Sequence, residues 1–321
     1  MSDQSEANPK ITQVADPRFK RLNDAFAKYL LAKEDHIGFL EDFVKAVIEH
    51  TPAEVPAHEV KSLVHRNVEL YREHAKEKAG FLDVHAESDS GVLFDMEVQT
   101  YRDNTLLSRE SFYFSKLYGS QQNKGEDHGD LKAVEIINLL SYNFFRDDTP
   151  YHTCCALVNL FTKKIVTDQI IFHFLEMPKF ESMMQQKKAS SRLDRWMQYF
   201  SCANPQEVMA FAKQDPLFSD VLEAEKMYLS DEDKMREYYR QNENAYWKGV
   251  LATAKAESKA EGKAEGKAEG IAEGEARGEA RGIAKERKNL LEAARTMLNE
   301  GMDRLKVQHF TKLTDEEMAS L

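Results

Sequence analysis

Residues 80–100 constrain the fold more than any other part of the chain, because they alternate with period two on both sides of Asp89-Ser90-Gly91. Before that loop, Leu82, Val84 and Ala86 fall on one side, and Phe81, Asp83, His85 and Glu87 on the other. After it, Val92, Phe94, Met96 and Val98 share a face, and Leu93, Asp95, Glu97 and Gln99 share the opposite one. Such alternation is the mark of strands with one apolar side. A three-residue loop ending in Gly, which tolerates a left-handed backbone, joins two strands as a hairpin. A slip of one residue would invert every side chain. Keeping the apolar faces together across this loop therefore sets Asp83 opposite Glu97, His85 opposite Asp95 and Phe81 opposite Gln99. Directly opposed residues stand about 4.5–5.5 Å apart at Cβ, where like charges repel unless something positive lies between them. A divalent metal ion would serve. An ordinary hairpin with its acidic side turned to water has the same pattern, and the hairpin alone leaves both readings open.

Composition bears on what such a site could bind. The net charge is −11, whereas affinity for a phosphate backbone comes from Lys and Arg. Residues 81–131 hold ten Asp/Glu against four Lys/Arg, so the proposed site is itself acidic. Metal ions would offset part of that charge. Basic contacts would otherwise come from Lys187-Lys188 with Arg192 and Arg195, or from residues 285–288. The three cysteines, Cys154, Cys155 and Cys202, are odd in number and include an adjacent pair. That argues against a disulfide framework and for a reducing, cytoplasmic setting. No run approaches the roughly 20 apolar residues that a membrane-crossing helix requires, so no membrane partner is expected.

In chain order, residues 1–15 are polar and aperiodic and read as disordered. A first helix is expected from Asp16-Pro17, carrying Phe19, Leu22, Phe26, Tyr29 and Leu30, and a second from Asp35 or His36 to Thr51-Pro52. Residues 59–72 read as a strand or an irregular lead-in. After the hairpin come a helix over 104–122, a buried central strand within 132–142, and two strands around the turn at 161–164. Residues 182–252 read as helical, with Trp196, Phe200, Phe211, Leu222, Tyr228, Tyr239 and Trp247 as packing residues. Residues 256–284 repeat every four residues in the manner Ala-Glu-Gly-Lys. The repeat reads either as a helical oligomerisation arm or as a flexible charged linker. The last stretch carries Leu290, Leu291, Ala294, Met297 and Leu298, a stop at Gly301 and a capping box at Thr314–Glu317. Three short helices of this kind resemble a helix-turn-helix, and read either as a DNA reader or as a cap for the tail.

An acid on one strand, Glu-x-Gln on its hairpin partner and a following helix resemble the PD-(D/E)XK nuclease superfamily. More closely, the chain is similar to the recombination-promoting nuclease family, whose members often carry the label putative transposase. The match includes Asn23-Asp24 with Lys28, Leu82-Asp83-Val84, Met96-Glu97-Val98-Gln99, Ser115-Lys116-Leu117-Tyr118 and Gly125-Glu126-Asp127. It continues through Ile136-Ile137-Asn138, Tyr151-His152 and the six residues from Leu175 to Phe180. The resemblance implies an α/β fold, a restriction-endonuclease-like mixed sheet flanked by helices, with an all-helical C-terminal half. It implies a nuclease core over 16–180, a helical extension over 181–252, a repeat arm over 253–288 and a helical module over 289–321.

The implied function is a metal-dependent DNA endonuclease that hydrolyses phosphodiester bonds in the service of DNA recombination. Mg²⁺, or another divalent cation, typically takes one or two carboxylates and keeps several waters, which suits Asp83 and Glu97. The Val98 carbonyl is a further ligand by resemblance. Gln99 stands where many superfamily members have Lys, and Leu82 replaces the Pro of the superfamily name. An amide carries no charge, so Lys116 or Arg109 on the next helix is the candidate for the missing cation. Asp24 and Lys28 match the family as well. Asp95 and His85 point to the same side, His85 as a hydrogen-bonding neighbour, since Mg²⁺ prefers oxygen. The partners expected are DNA and further copies of the chain through the arm. Two other readings use the same residues: a non-catalytic DNA-binding or assembly protein on a degenerate nuclease fold, and an acidic face that binds a protein.

Overall fold

The computed structural model describes residues 19–56, 58–66, 84–102, 104–122, 127–146, 148–186, 188–201 and 205–321. Strands β1 (Leu63–His65), β2 (Val84–Ser88), β3 (Leu93–Gln99), β4 (Val134–Leu140), β5 (His152–Ala156) and β6 (Ile170–Glu176) form one mixed sheet in the order β1-β2-β3-β4-β6-β5. β2 and β3 are the expected hairpin, with His85 paired to Asp95 and Ala86 to Phe94. Its turn closes with Gly91 N–H donating to Ser88 O at 2.9 Å, and Gly91 has φ +87°. The positive φ favours glycine, and a Cβ there would also press on the Lys132 side chain, with Cγ at 3.0 Å. β4 runs parallel to both β3 and β6. All seven of its residues are buried, which explains its nearly continuous apolar sequence. β1 and β5 close the two edges in antiparallel fashion.

One face of the sheet packs against helices α1 (Asp24–Leu31), α2 (Ile37–Glu49), α5 (Arg192–Ser201) and α7 (Pro216–Leu229). Phe26, Phe43, Trp196 and Phe218 meet Phe94, Met96, Ile137 and Leu175 there. The other face lies under α3 (Leu106–Ser120), whose Leu117 joins Leu93, Val134 and Ile136. Helices α4 (Met177–Met184) and α6 (Pro205–Ala212) complete the set before α8 (Glu232–Asn299). Two expectations need correction. Helix α1 begins at Asp24, because Asn23 caps it by accepting from Phe26 N–H at 3.2 Å; Phe19 and Leu22 precede the helix, and Asp16-Pro17 lies outside the described residues. Trp247 lies outside the core: it is 55% exposed on α8, beside the Tyr246 ring.

A chain of buried polar groups crosses the first face. His58 Nδ1 lies 2.6 Å from Glu135 Oε1, and His173 Nε2 lies 2.9 Å from Glu135 Oε2. His173 Nδ1 then meets His152 Nε2 at 3.1 Å, and His152 Nδ1 meets His50 Nδ1 at 3.0 Å. His50 Nε2 reaches Tyr151 Oη at 3.2 Å, and that hydroxyl donates to Asp194 Oδ1 at 2.7 Å. The chain thus ties the C-terminal end of α2 and the start of α5 to three strands. Five links join Glu135 to Asp194 in this way.

The chain divides into two compact units after Val250. In the second, the repeat of residues 256–284 is helical throughout as part of α8. That helix ends in a Schellman motif, with Gly301 at φ +84° donating to Leu298 O and Met302 N–H donating to Met297 O. α9 (Arg304–Thr311) and α10 (Asp315–Ala319) follow. Ala294, Val307, Leu313 and Met318 form a small core with Leu290, Leu291, Met297 and Leu298 packed against it. The capping box is present, with Thr314 and Glu317 bonded reciprocally.

Candidate active site

The polar side of the hairpin does not face water. Asp95 is fully buried, Glu97 is 3% exposed and Gln99 8%, because α3 closes over that side of the sheet. Strand periodicity aims Asp95, Glu97 and Gln99 toward α3, and helical periodicity returns Glu110, itself fully buried, toward them. Gln99 Nε2 donates to Glu97 Oε2 at 2.8 Å. Arg109 Nη2 lies 3.3 Å from that same oxygen and 3.3 Å from Glu110 Oε1, so one guanidinium bridges two carboxylates. Burial, the adjacent Glu110 carboxylate and insufficient compensation from Arg109, Gln99 and Lys28 push the Glu97 carboxyl up to about 8. Tyr113, on the same side of α3, is also shifted upward, first by burial and then by Glu97. Among the described residues, the positive charge that acts on Glu97 comes from Arg109 and Lys28.

The strand beside β3 adds a residue that sequence reasoning had not placed in the site. Asn138 pairs with Glu97 across the parallel β3–β4 ladder, so both side chains leave the same face. It is fully buried, and neither Oδ1 nor Nδ2 has a hydrogen-bond partner among the described residues. A buried amide without partners is costly and calls for a reason. The signal was in the sequence as a lone Asn in the apolar run Ile136-Ile137-Asn138-Leu139-Leu140.

The remaining expected residues separate into groups. Asp83 lies outside the described residues. Val98 follows Glu97 in β3, with its side chain in the opposite core. His85 is buried, and its Nδ1 is 3.0 Å from the Phe94 carbonyl; burial lowers its ring to about 4, which keeps it neutral beside Asp95 in the ladder. Lys28 pairs with Asp24 at 3.1 Å on α1, close enough for its charge to reach Glu97. Lys116 does not join the Glu97 cluster. It is exposed two turns beyond Arg109, with its ammonium 5.4 Å from the centre of the Phe112 ring. Arg109 is the cation the structure brings to Glu97.

The oxygens of Glu97 and Asn138 are donors of the kind Mg²⁺ takes, and a buried carboxyl beside an amide with no partner among the described residues suits a cation. Among the described residues, no three His, Cys, Asp or Glu side chains converge as a complete metal cluster.

Comparison with known proteins is in keeping with this geometry. The profile of the PD-(D/E)XK nuclease family transposases matches residues 21–256. That of the C-terminal HTH domain of the Rpn/YhgA-like nuclease family matches residues 287–321, the end of α8 with α9 and α10. No curated protein and no solved structure matches. No helix among the described residues is long and apolar enough to cross a membrane.

Proposed function

Since the chain belongs to the PD-(D/E)XK nuclease family transposases and ends in a helix-turn-helix of the Rpn/YhgA-like nuclease kind, we propose that it is a Mg²⁺-dependent DNA endonuclease acting in DNA recombination. The observation that carries this reading is Glu97, buried on the hairpin beneath α3 and only partly neutralised by Arg109. Asp83 and Glu97, with the Val98 carbonyl, would hold the ion. When bound, it would activate a water and offset charge on the scissile phosphate.

The chain's own groups have separate roles in this proposal. Gln99 fixes the orientation of the Glu97 carboxylate through its 2.8 Å bond and presents its amide to water or a phosphate oxygen. Arg109 supplies the charge that a lysine provides elsewhere in the superfamily, and Glu110 holds its guanidinium in place. Asn138 lends its amide oxygen to the ion's water shell. Lys116, outside this cluster, meets the DNA backbone. The C-terminal module contacts DNA, and the repeat arm joins copies of the chain in the cytoplasm.

The test is cleavage of supercoiled DNA with and without Mg²⁺ by wild type, Asp83→Asn and Glu97→Gln. Both substitutions should abolish nicking while leaving the far-UV spectrum unchanged. Nicking at the wild-type rate in both variants would refute the site.

A further inference from the structure

Within α8, the six glycines from Gly262 to Gly282 recur every four residues, and an added Cβ at any of them would meet nothing within 4 Å. Each costs about 1 kcal/mol relative to alanine in a helix. No contact among the described residues accounts for them. The charges follow a second pattern. The residue after each Gly or its equivalent is Lys at 255, 259, 263 and 267, Ile at 271, Glu at 275 and 279, and Ile again at 283. The residue after each Ala reverses in the opposite sense, from Glu through 273 to Arg at 277 and 281. Both series change sign near the middle of the repeat.

At 100° per residue, Ala264, Lys267, Ala268, Gly274, Glu275 and Gly278 all fall within about 60° of Ile271 on the helix surface. Ile271 is 52% exposed at the centre of this face. Parallel, in-register pairing of two such faces would set Lys267 against Lys267 and Glu275 against Glu275. Antiparallel pairing about Ile271 sets Lys267 against Glu275 twice, and at the margins Lys263 against Glu279 twice. It also places Ala264 over Gly278 and Ala268 over Gly274, small against smaller. Ridges of residues four apart interlock at a crossing of about −50°, so contact is confined to the turns around Ile271.

Resting on the oligomer reading above, we propose that a second copy of this chain docks on the Ile271 face of α8. The two helices cross antiparallel with the two-fold axis at Ile271, clasped by reciprocal Lys267–Glu275 ion pairs.

Sedimentation equilibrium of the full-length chain tests this, with far-UV circular dichroism confirming unchanged helicity in each variant. Lys267→Glu turns two attractions into two repulsions and should weaken the dimer about tenfold, as should Glu275→Lys. The double variant Lys267→Glu/Glu275→Lys restores opposite charges across the axis and should recover wild-type affinity. A parallel pair keeps like against like in every variant and would leave all the constants unchanged, which overturns the proposal. A chain that stays monomeric at all concentrations overturns both the register and the oligomer reading. An oligomer insensitive to the reversals overturns the register alone. Neither result touches the nuclease site, which the cleavage assay reads separately.

Discussion

His152 stands at the middle of the polar chain, between His173 and His50, and its substitution isolates what that chain contributes. Burial first, then the neighbouring His173 and His50 rings, depress its proton affinity to about 2 from the usual 6.5. In the fold it stays neutral, whereas the unfolded chain takes up a proton below 6.5. A depressed value gives stability that is fully present above the unfolded value and is lost as pH falls. The loss is about 1.4 kcal/mol per pH unit, hence about 2 kcal/mol between 6.5 and about pH 5. The side chain is 5% exposed, so solvent screening takes little from this figure.

His152→Gln retains an amide near one ring nitrogen and breaks the other link. It should cost about 1–3 kcal/mol at neutral pH through the buried partner left behind. On acidification the variant lacks the His152 loss, so its deficit against wild type should shrink by about 2 kcal/mol at about pH 5. His85, itself depressed to about 4 by burial, adds a similar slope to both proteins and cancels in the comparison. His58 is raised, chiefly by its bond to Glu135, and its contribution is lost only above 6.5 as pH rises through its folded value. Urea denaturation followed by fluorescence, with buried Trp196 as reporter of the first unit, gives the free energies. A gap between the two proteins that is constant across the range, at unchanged m-values, would refute the chain as drawn.

Two further outcomes concern the site. Asn138→Leu should stabilise the fold by about 1–3 kcal/mol by removing a buried amide without partners, while slowing cleavage; a destabilised variant in thermal unfolding would show that Asn138 is a structural residue. Gln99→Leu, which frees Glu97 from its 2.8 Å bond, should slow single-turnover cleavage by no more than about 10²–10³, the cost of one preorganised donor elsewhere. Gln99→Lys should retain activity; a leucine variant cutting at the wild-type rate would make Gln99 a spectator.

The hairpin register was legible because a slip inverts every side chain and because Gly91 fixes the turn, so His85 and Asp95 meet as the alternation required. Whether its acidic side faced water could not be read from the strands, since alternation looks the same under solvent and under a helix. The deciding residues were Glu110 and Arg109 on α3, which carry no period that marks them as partners of Glu97. Lys116, two turns on, is equally basic and lies on nearly the same side of the helix; only the path of α3 past the sheet separates them.

Strand β4 shows the limit most clearly. Its apolar run marks a central strand, and its two polar residues, Glu135 and Asn138, are an odd number of positions apart, so they leave opposite faces. That spacing alone implies two polar environments buried on either side of one sheet. Glu135 meets the histidines of the α2 and α5 side, and Asn138 stands beside Glu97 under α3. The first is filled by protein bonds, whereas Asn138 on the second has no hydrogen-bond partner among the described residues. One strand can therefore satisfy a buried polar residue through a long hydrogen-bonded chain and leave another, three positions on, with no partner among the described residues, a difference that its alternation does not reveal.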